Sequence, residues 1–142
     1  MIEKLAAAGA KVIVFDILFV GSSGNPQTDR EFAEALYRHR DKVVLSMMLR
    51  PSGDGFYEPV SSVQQLPLLS HKPGEVPHEG YVNLWPDAED EVVRRMMYTT
   101  SLGELQSGEG VLSERVFESL ATVTARVLGA DVPEGRDRKS VV

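Results

Sequence analysis

The feature that most constrains the fold is a nine-residue run, Lys11-Val12-Ile13-Val14-Phe15-Asp16-Ile17-Leu18-Phe19, dominated by Val, Ile, Leu and Phe with one carboxylate inside it. Such a run reads as a strand over residues 11–19, buried on both faces. In that setting Asp16 needs backbone or cationic partners, because an unpaired buried carboxylate costs several kcal/mol or is forced to protonate. After a loop rich in Gly, Ser, Asn and Pro, Thr28-Asp29-Arg30-Glu31 has the form of a capping box, with Thr28 as N-cap and Glu31 reaching back. Phe32, Ala35 and Leu36 then share one helical face, which predicts a helix over residues 28–40. Its last turn carries Arg38, His39 and Arg40, the charge that a helix C-terminus favours. Val43 to Leu49 begins a second apolar strand, and strand, helix and strand with short links make a parallel, right-handed crossover.

The remaining segments add to this unit. Residues 2–8 read as the last turns of a helix, with Gly9 placed for a left-handed cap. Residues 50–79, rich in Pro, Gly and Ser, read as a long excursion in which only residues 63–69 are apolar enough to reach the core. Residues 80–85 and 92–99 read as an antiparallel hairpin around the polar turn 86–91. Ser113 reads as the cap of a helix ending at Gly129, with Val116, Leu120, Val123 and Val127 on one face. The resulting fold class is α/β: a single domain with a mixed sheet, a parallel βαβ unit plus an antiparallel hairpin, flanked by helices. Residues 1–132 form the domain and residues 133–142 a polar tail or linker.

With 142 residues the chain can bury roughly two-thirds of its unfolded surface without staples. The net charge of −6 argues against a nucleic-acid groove, which needs clustered Lys and Arg. There is no cysteine, so disulfides, a thiol nucleophile and thiolate metal sites are excluded. His39, His71 and His78 lack metal-ligand spacing, and neither a metal nor a cofactor is expected. No stretch approaches the roughly 18 apolar residues of a spanning helix, and residues 1–9 lack the apolar core of a signal peptide.

Asp16 and Asp29 are candidate ligand carboxylates near the carboxyl end of a strand, where open α/β sheets bind ligands. The structural alternative is that Asp16 ties down loop amides while Asp29 complements the helix dipole. A phosphatase of the haloacid dehalogenase kind would need a second Asp two residues beyond Asp16, and Leu18 stands there. Arg94 and Arg95, consecutive in an extended segment, point to opposite faces. One of them turns inward, either as an ion-pair hub with Asp87, Asp90 or Asp16 or as an anion-binding group. Asn83 can bridge two strands or hold a small molecule. Tyr81 and Trp85 either line a pocket or pack together.

These residues together resemble the CHASE domain of the second type. The resemblance rests on Ala8-Gly9-Ala10 leading into the apolar run, on Thr28-Asp29 with residues 33–36, and on Gly80-Tyr81-Val82-Asn83 leading through Asp87 and Asp90 to Val92-Val93-Arg94-Arg95. It spans about residues 4–128. The family has Gly directly after the Asp at position 90, whereas Glu91 stands here, and a positive φ would cost Glu what Gly adopts freely. The resemblance implies an extracytoplasmic ligand- or stimulus-sensing module of a membrane-bound bacterial receptor. The output, an adenylate or guanylate cyclase, a histidine kinase or a Ser/Thr kinase, and the membrane anchors would lie outside this chain. It implies a small-molecule ligand, no catalysis by the module itself, and a homodimer formed through the terminal helices. Read without the resemblance, the alternative is a small cytoplasmic Rossmann-like enzyme or nucleotide-binding module using Asp16 and Asp29.

Overall fold

The computed structural model describes residues 1–53, 56–65, 77–86, 89–93, 97–107 and 115–132. Ile2–Ala7 forms helix α1, with Ile2 buried. Gly9 closes it as expected, at φ +85°, while the Ala10 N–H returns to Leu5 O at 3.1 Å. Strand β1 is Ile13–Phe15, helix α2 Pro26–Arg38 and strand β2 Val43–Pro51. β1 and β2 are parallel, with Ile13 beside Val43 and Phe15 beside Leu45. The expected βαβ unit is therefore present.

The first strand is shorter and less buried than its composition implies. β1 has only three residues and, among the described residues, pairs only with β2, so it lies at the rim of the described sheet, with Ile13 and Phe15 buried and Val14 41% exposed. Residues 17–19 leave the sheet, and Phe19 turns back to stack against Phe15 and Phe32 at 5.7 and 4.9 Å. An apolar run does not place every residue in a sheet or in the core: Phe19 is partly buried in the loop, while Ile17 is 58% exposed. The start of α2 also differs. Asn25 is the N-cap, accepting from the N–H groups of Gln27 (3.1 Å) and Thr28 (3.3 Å), with Pro26 in the first turn. Glu31 accepts from Gln27 Nε2 and takes no part in a capping box.

β2 is the axis of the sheet. Val44 pairs with both Val14 and His78, and Met47 with both Ser61 and Tyr81. Strand β3, Tyr57–Ser61, is antiparallel to β2 on the β1 side, and strand β4, His78–Tyr81, is parallel to β2 on the other side. The mixed sheet with an antiparallel hairpin is thus observed, but the hairpin is formed by β2 and β3. Part of the expected long excursion is therefore regular structure, continued by the short helix α3, Ser62–Gln65.

No hairpin joins residues 80–85 to 92–99 among the described residues. β4 pairs with β2, while Thr99–Ser101 forms β5, antiparallel to β6, Val116–Glu118. Glu91, at φ +59°, adopts the left-handed turn geometry despite its side chain, and Asp90 Oδ1 accepts the Val92 N–H at 3.2 Å. Helix α4, Leu102–Ser107, follows β5, and helix α5, Leu120–Val127, follows β6. α5 is capped by Ser119, whose Oγ accepts the Thr122 N–H, so Val116 belongs to a strand and is exposed. Ser113 and the tail over residues 133–142 lie outside the described residues. Gly129, at φ +77°, ends α5 as its position predicts.

One core cluster joins Ile2, Ile13, Phe15, Ala33, Leu36, Val43, Leu45 and Val63 beneath α1 and α2. A second joins Met47, Leu49, Tyr81 and Phe117, with Trp85 edge-on to Tyr81 at 5.5 Å. α5 lies on the opposite face of the sheet from α1 and α2, over Val44, Ser46 and Gly80, because side chains alternate along β2 and Gly80 is paired with Ser46. A Cβ on Gly80 would stand 2.5 Å from Leu120 Cα, so the helix start rests directly on the β4 backbone.

Candidate functional site

Among the described residues the polar candidates separate into those occupied by the fold and one that is not. Asp29 accepts from Ser22 Oγ at 2.5 Å and from the Ser23 N–H at 3.1 Å. The Ser22 hydroxyl, then Ser23, hold its carboxyl below the usual carboxylate range. Its contacts secure the loop that enters α2.

Asn83 is equally engaged. Its Oδ1 accepts the Leu49 N–H and its Nδ2 donates to Leu49 O, both at 2.7 Å. The amide acts as one more strand residue, extending the β4 side of β2 beyond Tyr81. On the other side of Leu49 stands Pro59 of β3, which has no N–H to offer. Leu49 directs its backbone groups to Asn83, so the proline leaves no ladder bond unmade. Arg94, Arg95 and Asp87 lie outside the described residues.

Asp16 is exposed, contrary to its expected place inside a buried strand, because the sheet ends at Phe15. Among the described residues nothing donates a hydrogen bond or an ion pair to its carboxylate. It forms part of the wall of a groove of about 520 Å³ between the rim of the sheet and α5. Val14, Val82 and Leu84 form one side, and Leu120, Ala121 and Leu128 the other. Asp29 and Asn83 do not line it, so the structure does not gather the two aspartates into one lining.

The residue that sequence reasoning missed is Glu79. Reaching from β4 to the start of α3, its carboxylate accepts from Ser61 Oγ at 2.6 Å and from the Val63 N–H at 2.9 Å. Burial raises its pKa above the ordinary glutamate value, outweighing the lowering by these bonds, by the Ser62 N–H and by the Arg115 charge. Ser62 beside it is also a tether: its Oγ donates to Ser46 O at 2.7 Å and accepts the Phe19 N–H at 3.2 Å. No periodicity marks a four-residue strand reading His-Glu-Gly-Tyr, so only the pairing with β2 shows that this glutamate turns inward.

Glu79 also borders a smaller cavity of about 370 Å³, with Asp41, His78, Glu118 and Arg126, in which Arg126 is ion-paired to Glu118. Among the described residues no group of three His, Asp or Glu side chains is placed to hold a metal ion. Among them too, no helix is long and apolar enough to cross a membrane.

No curated protein and no solved structure matches the chain. A family model described as the CHASE2 domain matches residues 1–139, nearly the whole length. CHASE2 domains are extracytoplasmic sensory domains of membrane receptors, and this chain, with its mixed α/β sheet, belongs to that family.

Proposed function

We propose that this domain detects a small-molecule ligand or physical cue for a membrane-bound bacterial receptor, and that it has no catalytic activity of its own. The observation that carries this reading is the family match across residues 1–139. The output domain, a cyclase or a histidine or Ser/Thr kinase, and the membrane tether belong to parts of the receptor beyond this chain. The occupied state of Asp29, held by its own loop, supports a module without a carboxylate pair for phosphate or metal chemistry.

Signal transfer requires that the cue bind one conformation better than another. α1 and α5 stand nearest the two ends of the described chain and are the natural transmitters. A homodimer formed through these helices would carry a shift in one protomer to its partner. The expected result is output in membranes that changes with the cue, and a topology reporter fused after residue 132 that is active only on the extracytoplasmic side. A reporter active only in the cytoplasm, or hydrolysis of nucleotides or phosphate esters by the purified domain that disappears in Asp16→Asn, would overturn the proposal.

A further inference from the structure

We infer that the groove between the sheet rim and α5 binds an amphipathic organic cation, its charged head against Asp16 and its apolar body along Leu84, Leu120, Ala121 and Leu128. The inference rests on the sensory reading and gives it a ligand class and a place.

α5 packs on β4 and β2, and its seat is fixed by the contact of Leu120 with the backbone of Gly80. The face of β1 is left uncovered, so Val14 is 41% exposed, Leu84 59% and Leu128 50%. The groove between these residues, about 520 Å³, has the size of a small-molecule site. Among the described residues its lining is apolar except for Asp16, Tyr81 and Thr124. Two of these are satisfied internally, since Tyr81 Oη donates to Met97 O and Thr124 Oγ1 to Leu120 O. Among the described residues Asp16 alone offers its polar atoms to a ligand, and none of their Lys, Arg or His side chains lines the groove.

That charge pattern selects the occupant. An anion would meet Asp16 without a compensating cation among the described residues. A second copy docked through a two-fold axis would present the same lining, placing Asp16 in an interface with no positive charge from the described residues of either groove, which is unfavourable. An ammonium or guanidinium head satisfies the carboxylate, while the apolar body removes Leu84 and Leu128 from water. A ligand held this way touches both the sheet and α5, so its binding biases the position of the C-terminal helix.

The test is titration of the 142-residue domain with hexylammonium, hexanol and hexanoate, followed by amide NMR shifts and Tm. Hexylammonium is expected to bind about fivefold more tightly than hexanol, with hexanoate weakest, and to shift amides at Val14, Asp16 and along α5. Asp16→Asn should reduce the difference between hexylammonium and hexanol to less than about twofold while the far-UV spectrum stays unchanged. Ala121→Trp, at an exposed helix position, should block all three probes. Equal binding of the three probes, shifts mapping elsewhere, or a groove-mediated dimer that Ala121→Trp dissociates would overturn the inference. A receptor that still answers another cue after such a result keeps the sensory reading, whereas a cytoplasmic topology reporter removes that reading whatever the probes do.

Discussion

Beneath α1 and α2 the sheet is covered by large apolar side chains. Leu36, Val43 and Leu45 are fully buried, and Phe15, Phe19 and Phe32 meet edge-on or tilted at 4.9 to 6.2 Å. Beneath α5 the other face is covered by close approach: Leu120 rests on Gly80, and the small polar residues Ser46, Ser119 and Thr122 are buried nearby. Ser46 Oγ has no hydrogen-bond partner among the described residues. The first face is held by volume, so it tolerates loss of atoms poorly. The second is held by the absence of atoms, so it tolerates addition poorly. It also covers less of the sheet, which is why the open groove lies there.

Truncation and enlargement should therefore act oppositely on the two faces. Leu36→Ala should destabilise by about 3 kcal/mol, read as a lower urea midpoint, because it opens a cavity under α2. A loss below about 1 kcal/mol would show that this core collapses around the change. Gly80→Ala should cost about 2 kcal/mol, with amide shifts concentrated in β4 and α5, because the new methyl group must displace Leu120. Shifts centred on α2 would contradict the asymmetry.

A smaller effect separates local strain from packing on either face. Glu91 holds φ +59°, so Glu91→Gly should stabilise by about 0.5 to 1 kcal/mol without altering the groove. A destabilised variant would show that the Glu91 side chain supports the turn.

The pH response of Glu79 is the finest test. Its folded pKa is raised, so its favourable contribution is complete below the ordinary value of 4.5 and is lost as pH rises through the folded value. Glu3, hydrogen-bonded to His39 and ion-paired to Arg38, and Asp29 have lowered values and contribute in the opposite sense, losing their effect as pH falls. The difference between wild type and Glu79→Gln isolates the Glu79 contribution. The variant should gain relative stability as pH rises from 4.5 toward neutrality, measured by urea midpoints at several pH values. A pH-independent difference would mean that burial of Glu79 costs its charged form nothing.

Much of the first half of the fold was legible in the chain. The crossover from β1 through α2 to β2 follows from apolar runs flanking a periodic segment, and the glycines at positions 9 and 129 mark real helix ends. The precise caps were less legible. Asn25 and Thr28 both accept helix N–H bonds readily, and Pro26 in the first turn favours the earlier start. The site was harder still. Asp16 was expected inside a strand because Ile17, Leu18 and Phe19 follow it, yet those residues turn into a loop and leave the carboxylate in solvent. Glu79 gave no signal because its burial depends on Ser61 and Val63, which pairing across β2 brings beside it.

The order of side chains alone specified an α/β domain with a parallel crossover, no thiol chemistry and a resemblance to a sensory family, because helix periodicity, apolar runs and composition are local properties. Only the folded chain decided which strand became the rim, which polar groups were already engaged and where an open groove remained. Those outcomes depend on contacts between distant residues: Gly80 with Leu120, Asn83 with Leu49, and Ser62 with both Phe19 and Ser46. Each is set by the competition of segments for the same neighbour, which no single segment encodes.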